Sequence, residues 1–363
     1  MLGGLRMEDV LSVTDEEFEP IFSDIVNRYL SKTNFPKFIV GTGLSVGLGI
    51  SGMSGLADEL ENRYNSEEYS TYLPTWKQYE GIVKDKGLEY ALLNIKPEEE
   101  GFVESIREIT AKFILDSDYE ARDDILSNHS GFENLLGFLS RTVSVNEKVI
   151  DIMTPNYDLI IELIADKLKL ESTLGFYGSL YQNFNSDRLK NPRTYFSKDE
   201  PIVRVFKPHG SINWIKHGHN VIQTSDYSYL EKESKNIEII TPGSMKYQRG
   251  LTHELFRIHR EIFNELITDN KNKFSIFIYG YGFNDQHFDT VFENTTKDVI
   301  VLTMSTKKEI VDKALNNRNW TLFYKHTNQE EPGQDSYMVY NQKLYRIDRD
   351  LWDINEFSKI FIG

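Results

Sequence analysis

Residues 37–52 read Lys37-Phe-Ile-Val-Gly-Thr-Gly-Leu-Ser-Val-Gly-Leu-Gly-Ile-Ser-Gly52. A short apolar run ends in glycines here, and an amphipathic helix pattern follows at Leu56, Leu60 and Tyr64. A strand that runs into a glycine-rich turn and then a helix is typical of a phosphate cradle. Glycine lets the backbone approach the ligand, and the N–H groups at the start of the helix point at the anion.

Two glycine registers overlap in this stretch, Gly41-x-Gly43 and Gly47-x-Gly49-x-x-Gly52. Neither register is followed by an acidic residue at the end of a second strand. A dehydrogenase that binds a dinucleotide in this way requires such a residue. The motif therefore predicts a phosphate-bearing ligand without predicting hydride transfer.

Outward from this motif, short apolar runs alternate with helical patterns. The runs are almost continuously hydrophobic, as in strands that are buried on both faces of a parallel sheet. Six of them predict strands: Phe38–Val40, Val149–Met153, Ile202–Phe206, Ile237–Ile240, Phe274–Tyr279 and Val299–Met304. We therefore expect an α/β fold with a Rossmann-like parallel sheet of about six strands.

Residues from about 55 to 148 separate the first two predicted strands and have a mostly helical pattern. This is too long for a simple crossover, so we expect a large helical insertion. We expect one α/β domain over residues 1–320. Residues 321–363 should form a small C-terminal hairpin and helix that pack on the same domain.

Composition limits the classes of function. The 363 residues are 39% hydrophobic and 13% aromatic, which indicates a folded chain. Cysteine is absent, which excludes disulfides, thiol nucleophiles and cysteine-ligated metal sites. The net charge of −15 argues against broad nucleic-acid binding. No apolar stretch is long enough to span a bilayer and no signal peptide is evident, so we expect a cytoplasmic protein.

Small and polar residues follow the predicted strands, at the edge where open α/β sheets bind ligands. These segments are Gly41–Ser45, Thr154–Asp158, Lys207–Ser211, Thr241–Ser244, Gly280–Asp285 and a segment that begins at Ser305. A single such segment carries little information. Together they predict a ligand site.

Three side chains in these segments can do chemistry. His209, between Pro208 and Gly210, is a natural general base near neutral pH, although an isolated histidine is more often structural. Asp158 either faces the ligand or caps the helix that follows it. Asn156 is harder to explain structurally, because a helix needs only one cap.

Taken together, these segments resemble the sirtuin family of NAD-consuming enzymes. Gly41-Thr-Gly-Leu-Ser45 with Gly49-Ile50 matches the first glycine motif of the family, and Asn156-Tyr-Asp158 matches its Asn-x-Asp segment. Pro208-His209-Gly210-Ser211 matches the catalytic histidine motif. Gly280-Tyr-Gly-Phe lies where the family has a Gly-Thr-Ser turn, with Gly282 in place of serine.

The departures from the family pattern narrow the resemblance. Deacylating sirtuins follow the first motif with Pro-Asp-Phe-Arg, whereas this chain has Ser51-Gly-Met-Ser54, and it lacks the cysteines of their zinc ribbon. The chain is more similar to bacterial sirtuin-like effectors of anti-phage defence, which hydrolyse NAD+. This resemblance implies an NAD+ glycohydrolase that depletes NAD in abortive infection. An NAD or ADP-ribose sensor without turnover is the alternative, and a protein deacylase is a weaker one.

The resemblance also implies roles for individual residues. Asn156 would order the attacking water and the nicotinamide ribose, Asp158 would engage the carboxamide, and His209 would act as the base. NAD+ is the substrate and no metal is implied. The residues that would bind NAD+ are Gly41, Thr42, Gly43, Ser45, Gly49, Gly280, Gly282 and Ser305.

By analogy with the same effectors, the chain should be inactive until a separate activator binds it. A HerA-type ATPase is the expected partner and an Argonaute-type protein the alternative. We also expect a homo-oligomer, with no direct nucleic-acid binding and no membrane association. Other polar residues carry less weight: His217 and His219 lack further metal ligands, and Asp285 and His287 are expected only to start a helix.

Overall fold

The structure is a computed structural model that describes residues 11–95, 99–142, 148–197, 199–240, 254–283, 295–328, 333 and 335–363. The strands in these ranges are β1 (Pro36–Val40), β2 (Val149–Met153), β3 (Glu171–Thr173), β4 (Phe176–Tyr177), β5 (Gln182–Phe184), β6 (Ile202–Phe206), β7 (Gly210–His217), β8 (Asn220–Gln223), β9 (Ile237–Ile239), β10 (Ser275–Tyr279), β11 (Asp298–Thr306), β12 (Trp320–Thr327), β13 (Ser336–Tyr340) and β14 (Lys343–Ile347).

The helices in the same ranges are α1 (Phe18–Tyr29), α2 (Thr42–Gly47), α3 (Met53–Tyr64), α4 (Leu73–Lys86), α5 (Leu88–Leu93), α6 (Glu100–Ser127), α7 (Gly131–Thr142), α8 (Ile160–Lys167), α9 (Ser186–Lys190), α10 (Tyr227–Lys232), α11 (Glu254–Thr268), α12 (Lys308–Asn316) and α13 (Ile354–Phe361). Short 3-10 turns lie at Ser70–Tyr72, Pro192–Thr194 and Ser234–Asn236. Within the described ranges, no helix combines the length and the apolar character needed to cross a membrane.

Most described strands belong to one large sheet with the order β14-β13-β12-β11-β10-β1-β2-β6-β3. The strands from β12 to β3 in this order run parallel, and β13 and β14 are added antiparallel at one edge. The chain is therefore a mixed α/β protein with a large, mostly parallel sheet. This arrangement is compatible with the predicted Rossmann-like fold.

The predicted set of about six strands differs from this sheet in two ways. Five of the six apolar runs lie in the large sheet, but Ile237–Ile239 pairs antiparallel with β7 in a second sheet of order β4-β5-β8-β7-β9. Two parallel strands of the large sheet, Glu171–Thr173 and Trp320–Thr327, were not predicted. The different pairing of Ile237–Ile239 has a simple cause: a short buried apolar run does not indicate which strand will pair with it.

Alternate residues of the parallel strands face two hydrophobic cores. Phe38 and Val40 of β1 belong to a core that also takes residues of α1, α7 and α13. Ile39, between them, belongs to a core with residues of α11 and α12. Helices therefore cover both faces of the sheet, which explains why its central strands are apolar at almost every position.

Helices α3 to α7 lie between β1 and β2, in the region where the sequence predicts a helical insertion. Many of their buried side chains form a separate core that includes Leu60, Trp76, Phe102 and Ile106. The description of this region as an insertion, and the domain boundary at residue 320, stay predictions.

The C-terminal residues form a hairpin and a helix. Strand β13 pairs with β14, and also with β12, so the hairpin extends the large sheet. Helix α13 places Phe357 against Phe277 of β10 and Phe323 of β12. The hairpin thus lengthens the sheet, and the helix covers one of its faces.

Candidate functional site

The candidate site lies at the carboxyl ends of β10, β1, β2 and β6, which are neighbours in this order. Because these strands are parallel, the segments that follow them meet at one edge of the sheet. The chain places β2 and β6 on one side of β1, and β10 and β11 on the other. The reversal between β1 and β10 is a topological switch point, where open α/β sheets bind ligands.

The glycine turn after β1 packs directly on the turn after β10. The Gly41 N–H donates to the Tyr279 carbonyl at 2.8 Å, and the Gly43 N–H donates to the Gly280 carbonyl at 3.0 Å. A Cβ atom on Gly41 would lie 2.4 Å from the Gly280 oxygen, and one on Gly43 would lie 2.5 Å from the Gly280 Cα. Backbone packing therefore requires these glycines, and their two N–H groups already donate within the protein instead of pointing at an anion.

The other residues predicted in this motif differ in exposure. Thr42 begins α2 and is exposed, and Gly49 is exposed with φ +91° and open space around its Cα. Ser45 is buried, and its carbonyl accepts from the Ile50 N–H at 2.9 Å. Thr42 and Gly49 are accessible to a ligand, whereas Ser45 faces other protein groups.

Asn156 is held in one orientation by two hydrogen bonds from its amide nitrogen. Nδ2 lies 2.9 Å from the Gly41 carbonyl oxygen and 2.9 Å from Ser45 Oγ. Because a carbonyl oxygen only accepts, the group that faces Gly41 must be the NH₂. The Oδ1 atom of Asn156 is buried and has no hydrogen-bond partner among the described residues. A buried unpaired acceptor is costly, and a bound donor would satisfy it.

Asp158 is buried, and each of its carboxylate oxygens accepts a hydrogen bond. Oδ2 accepts from Ser45 Oγ at 2.6 Å, and Oδ1 accepts from the N–H of Ile160, the first residue of α8, at 3.2 Å. Burial raises the pKa of the Asp158 carboxyl, while the Lys207 charge and the Ser45 bond oppose that rise. The helix-start contact and the contact with the glycine motif are therefore made by the same side chain.

His209 lies between the end of β6 and the start of β7, and its side chain is buried. Its carbonyl accepts from the Ile240 N–H at 2.8 Å. Gly210 has φ +90°, and a Cβ there would lie 2.2 Å from the Glu238 oxygen. The glycine after the histidine is thus required by the close approach of β9.

The loops that carry Asn156 and His209 are bonded to each other. The Tyr157 carbonyl accepts from the Ile212 N–H at 3.0 Å, and the Tyr157 hydroxyl donates to the Ile240 carbonyl at 2.6 Å. Ile240 in turn donates to His209. The two loops form one connected wall of the site.

The predicted positions farther along the chain join this network only in part. Gly280, with φ +59°, contacts Gly43 and donates its N–H to the Leu302 carbonyl of β11. Gly282 is exposed. Ser305, near the end of β11, is half-buried and donates its hydroxyl to Asn328 Oδ1. The polar segments predicted at Thr241–Ser244 and at Asn284–His287 lie outside the described residues.

A buried lysine in this wall was not identified from the sequence as a functional residue. Lys207 is completely buried, and its ammonium donates to the Asp158 carbonyl and, at 3.1 Å, to Ser211 Oγ. Glu162 Oε1 of α8 lies 2.7 Å away. Burial raises the pKa of Glu162, and the Lys207 charge opposes this rise. The available signal was a lysine directly after the apolar strand β6, with a glutamate on the apolar stripe of α8.

Metal ligation has no visible basis in this part of the molecule. In the ranges that the structure describes, no three or more His, Asp or Glu side chains cluster as metal ligands. His217 and His219, the histidine pair noted in the sequence, are exposed at the turn between β7 and β8. The site network instead consists of an amide, carboxylates, a hydroxyl and an ammonium.

Comparison with known proteins supports a sirtuin-like family for this part of the chain. Residues 151–300 match the family model described as SIR2-like domain, which is less than half of the chain. The matched range contains Asn156, Asp158, His209 and Gly280, whereas the glycine turn after β1 precedes it. The match suggests NAD-related chemistry and an NAD-dependent enzyme. No curated protein matches the chain.

Proposed function

We propose that this protein is an NAD+ glycohydrolase that cleaves the bond between nicotinamide and ribose and releases nicotinamide and ADP-ribose. The observation that carries the proposal is the buried, unpaired Oδ1 atom of Asn156 at the switch point of the sheet. The amide nitrogen is already used, so this oxygen is fixed as an acceptor. A water molecule or a ribose hydroxyl can satisfy it.

In the proposed reaction, the bond between C1′ and the pyridinium nitrogen breaks and its electron pair moves to the nitrogen. Nicotinamide leaves as a neutral molecule, and the ribose acquires oxocarbenium character, as in other glycoside hydrolyses. Water held by Asn156 adds to C1′, and His209 accepts the proton. The fixed acceptor Asn156 Oδ1 and the carboxylate of Asp158 favour the positive charge that develops on the ribose.

The contacts of Asp158 refine its proposed role. Both carboxylate oxygens are engaged with Ser45 and Ile160, so we assign Asp158 to holding Ser45, and through it Asn156, in place. Direct binding of the nicotinamide carboxamide by Asp158, which the resemblance implies, would require one of these bonds to be shared. Thr42, Gly49, Gly280 and Gly282 stay the proposed contacts of the dinucleotide.

Nicotinamide release from NAD+ by the purified chain, alone and together with the expected activator, tests this proposal. We expect Asn156→Ala and His209→Ala each to lower kcat by about 100-fold or more, the usual loss on removing a general base or an orienting group. Asn65→Ala and His217→Ala, at exposed positions, are the matched controls and should retain the parental kcat. Equal turnover by the site variants and the parent protein would refute the assigned roles.

A binding module that senses NAD or ADP-ribose without cleaving it is the principal rival function. Both functions predict that NAD+ raises the melting temperature of the His209→Ala variant. A ligand at 100 times its Kd stabilises the folded state by about 2.7 kcal/mol. They differ in turnover: stabilisation by NAD+ together with no nicotinamide release by the parent protein, in every partner-bound state, would favour the sensor. Release of acetyl groups from peptides would favour the less expected deacylase.

We further propose a role in anti-phage defence by abortive infection, in which a separate activator switches on NAD depletion. This proposal rests on the resemblance to bacterial defence effectors. A HerA-type ATPase is the proposed activator, an Argonaute-type protein the alternative, and a homo-oligomer the proposed assembly. NAD+ levels in infected cells that carry the parent gene or the Asn156→Ala gene, with and without the partner gene, test the role. Equal NAD+ levels in all four strains would refute it.

A further inference from the structure

Lys207 connects three segments around the candidate site. Its ammonium contacts the Asp158 carbonyl on the loop after β2, Ser211 at the start of β7, and Glu162 on α8. The Asp158 carbonyl and Ser211 Oγ accept hydrogen bonds from the ammonium, and Glu162 Oε1 faces it as an ion pair at 2.7 Å.

Ser211 strengthens the same connection. It is completely buried, accepts from Lys207, and directs its own hydroxyl to the Tyr157 carbonyl at 3.3 Å. The next residue, Ile212, donates its N–H to the same carbonyl at 3.0 Å. Segment 207–212 therefore holds two consecutive carbonyls of the loop after β2.

These bonds surround the two residues that are proposed to do the chemistry. Asn156 immediately precedes the two held carbonyls, and His209 lies between Lys207 and Ser211. We propose that Lys207 is a positioning residue that sets the separation of Asn156 and His209, an inference that rests on the proposed NAD+ hydrolysis. A displacement of about 1 Å in such a constellation lowers the rate by about 100-fold.

Stability alone does not account for this lysine. Burying an ammonium and a carboxylate costs desolvation energy, and replacing such a pair by apolar residues is often neutral or stabilising. The Glu162 carboxylate, neither of whose oxygens has a hydrogen-bond partner among the described residues, offsets the Lys207 charge without adding hydrogen bonds. The distinguishing feature of the pair is its contact with the two loops.

The double variant Lys207→Met/Glu162→Met tests the proposal, because it removes both charges and leaves neither one buried alone. We expect an unfolding midpoint in urea close to that of the parent protein. We expect kcat for nicotinamide release to fall by about 100-fold, with KM within about threefold of the parental value. If the pair were merely structural, the double variant would keep the parental kcat as well as the parental unfolding midpoint. That result would overturn the inference.

Lys37→Met is the matched control for this variant. Lys37 forms a comparably short ion pair with buried Asp151, at 2.6 Å, but lies in β1 away from the two loops. We expect it to lower the unfolding midpoint and to leave kcat unchanged. Loss of kcat in this control equal to that in the double variant would also overturn the inference.

Ser211→Ala provides a second test that adds no bulk to the core. We expect a kcat loss of about tenfold at unchanged KM. The substitution removes the hydroxyl's bonds to Lys207 and to the Tyr157 carbonyl, whereas Ile212 keeps its bond to that carbonyl. Ser275→Ala is the control, because Ser275 is equally buried and its hydroxyl donates to the Tyr29 and Asn34 carbonyls. Parental kcat in Ser211→Ala would count against the inference. A parent protein that releases no nicotinamide in any partner-bound state would refute the proposed function, and this inference with it.

Discussion

Single glycines determine how closely β1 and β10 approach at the candidate site. The turns that carry Gly43 and Gly280 touch through their backbones, and a Cβ on either residue would lie within 2.6 Å of a backbone atom of the other. Gly47 is in the same short helix as Gly43. A Cβ on Gly47 would have only the Tyr279 hydroxyl nearby, at 3.9 Å. Two glycines four residues apart in one motif are therefore under very different steric constraints.

This difference predicts opposite effects of one substitution. Gly43→Ala should destabilise the fold by about 2 kcal/mol or more, because the turns must separate and overpacking of this kind costs about 1–3 kcal/mol. Gly47→Ala should change stability by less than about 1 kcal/mol, with a gain expected from the reduced freedom of the unfolded chain. Urea unfolding of both variants measures the difference. An equal loss of unfolding free energy in both variants would contradict the contact between Gly43 and Gly280.

At the scale of elements, α6 connects parts of the molecule that are distant in sequence. Its first half contributes Phe102 and Ile106 to the core of the helical region. Ala111 and Leu115 pack with the small sheet, and Ile125 joins the core of the large sheet. One 28-residue helix thus crosses three cores, which couples the helical region to the wall that carries the site.

Arg107 is the polar counterpart of this packing. Its buried guanidinium donates to the carbonyls of Ile237 and Lys235, next to β9. We expect Arg107→Met to cost about 3 kcal/mol, since hydrogen bonds from charged groups contribute about 1.5–3 kcal/mol and the carbonyls lose their donors. Arg63→Met breaks a more exposed pair with Glu59 and should cost less than about 1 kcal/mol. Similar midpoints for both variants in urea would argue against a special role of Arg107.

At the scale of the whole molecule, buried titratable groups make stability depend on pH. Burial, assisted by the Lys207 charge, lowers the pKa of His259 to about 3. Burial acts to raise the pKa of Asp151, but the Arg204 and Lys37 charges outweigh it and lower that pKa to about 2. The raised pKa values of Asp158 and Glu162 act in the opposite sense, so these carboxyls favour the folded state more as the pH falls.

His259 supplies a pH prediction with a definite sign. Its contribution is fully present above the unfolded pKa of about 6.5 and is lost as the pH falls from there toward 3, because only the unfolded chain takes up the proton. Between pH 7 and pH 5 this loss is about 2 kcal/mol.

His259→Asn isolates this contribution. In the parent protein, His259 Nδ1 accepts a hydrogen bond from the backbone N–H of Lys207 at 3.2 Å. The asparagine can still accept this bond. We expect this variant to be less stable than the parent at pH 7, since it is smaller, and to lose about 2 kcal/mol less on going to pH 5. Urea unfolding at the two pH values measures this. If the stability of the variant depends on pH as strongly as that of the parent protein, His259 is not buried in its neutral form.

Local sequence signals predicted several parts of this architecture. Apolar runs indicated the central strands, and the pattern after Tyr337 indicated the hairpin and the helix that the structure shows. The prediction that polar residues gather at the carboxyl edge required only that the strands be parallel. The order of Gly41, Asn156 and His209 indicated the sirtuin-like family that the match over residues 151–300 supports.

Local patterns in the amino-acid sequence were enough to predict the α/β class, the polar strand ends and the order of the motifs, because each depends on neighbours within a few residues. Three further features are visible only in the folded chain: Ile237–Ile239 pairs with β7, the backbone of Gly280 leaves no room for a side chain at Gly43, and Lys207 is buried between two loops. Each of these facts is a contact between residues far apart in the chain. Periodicity and composition report on local surroundings, whereas such contacts are set by how the strands are ordered in the sheet.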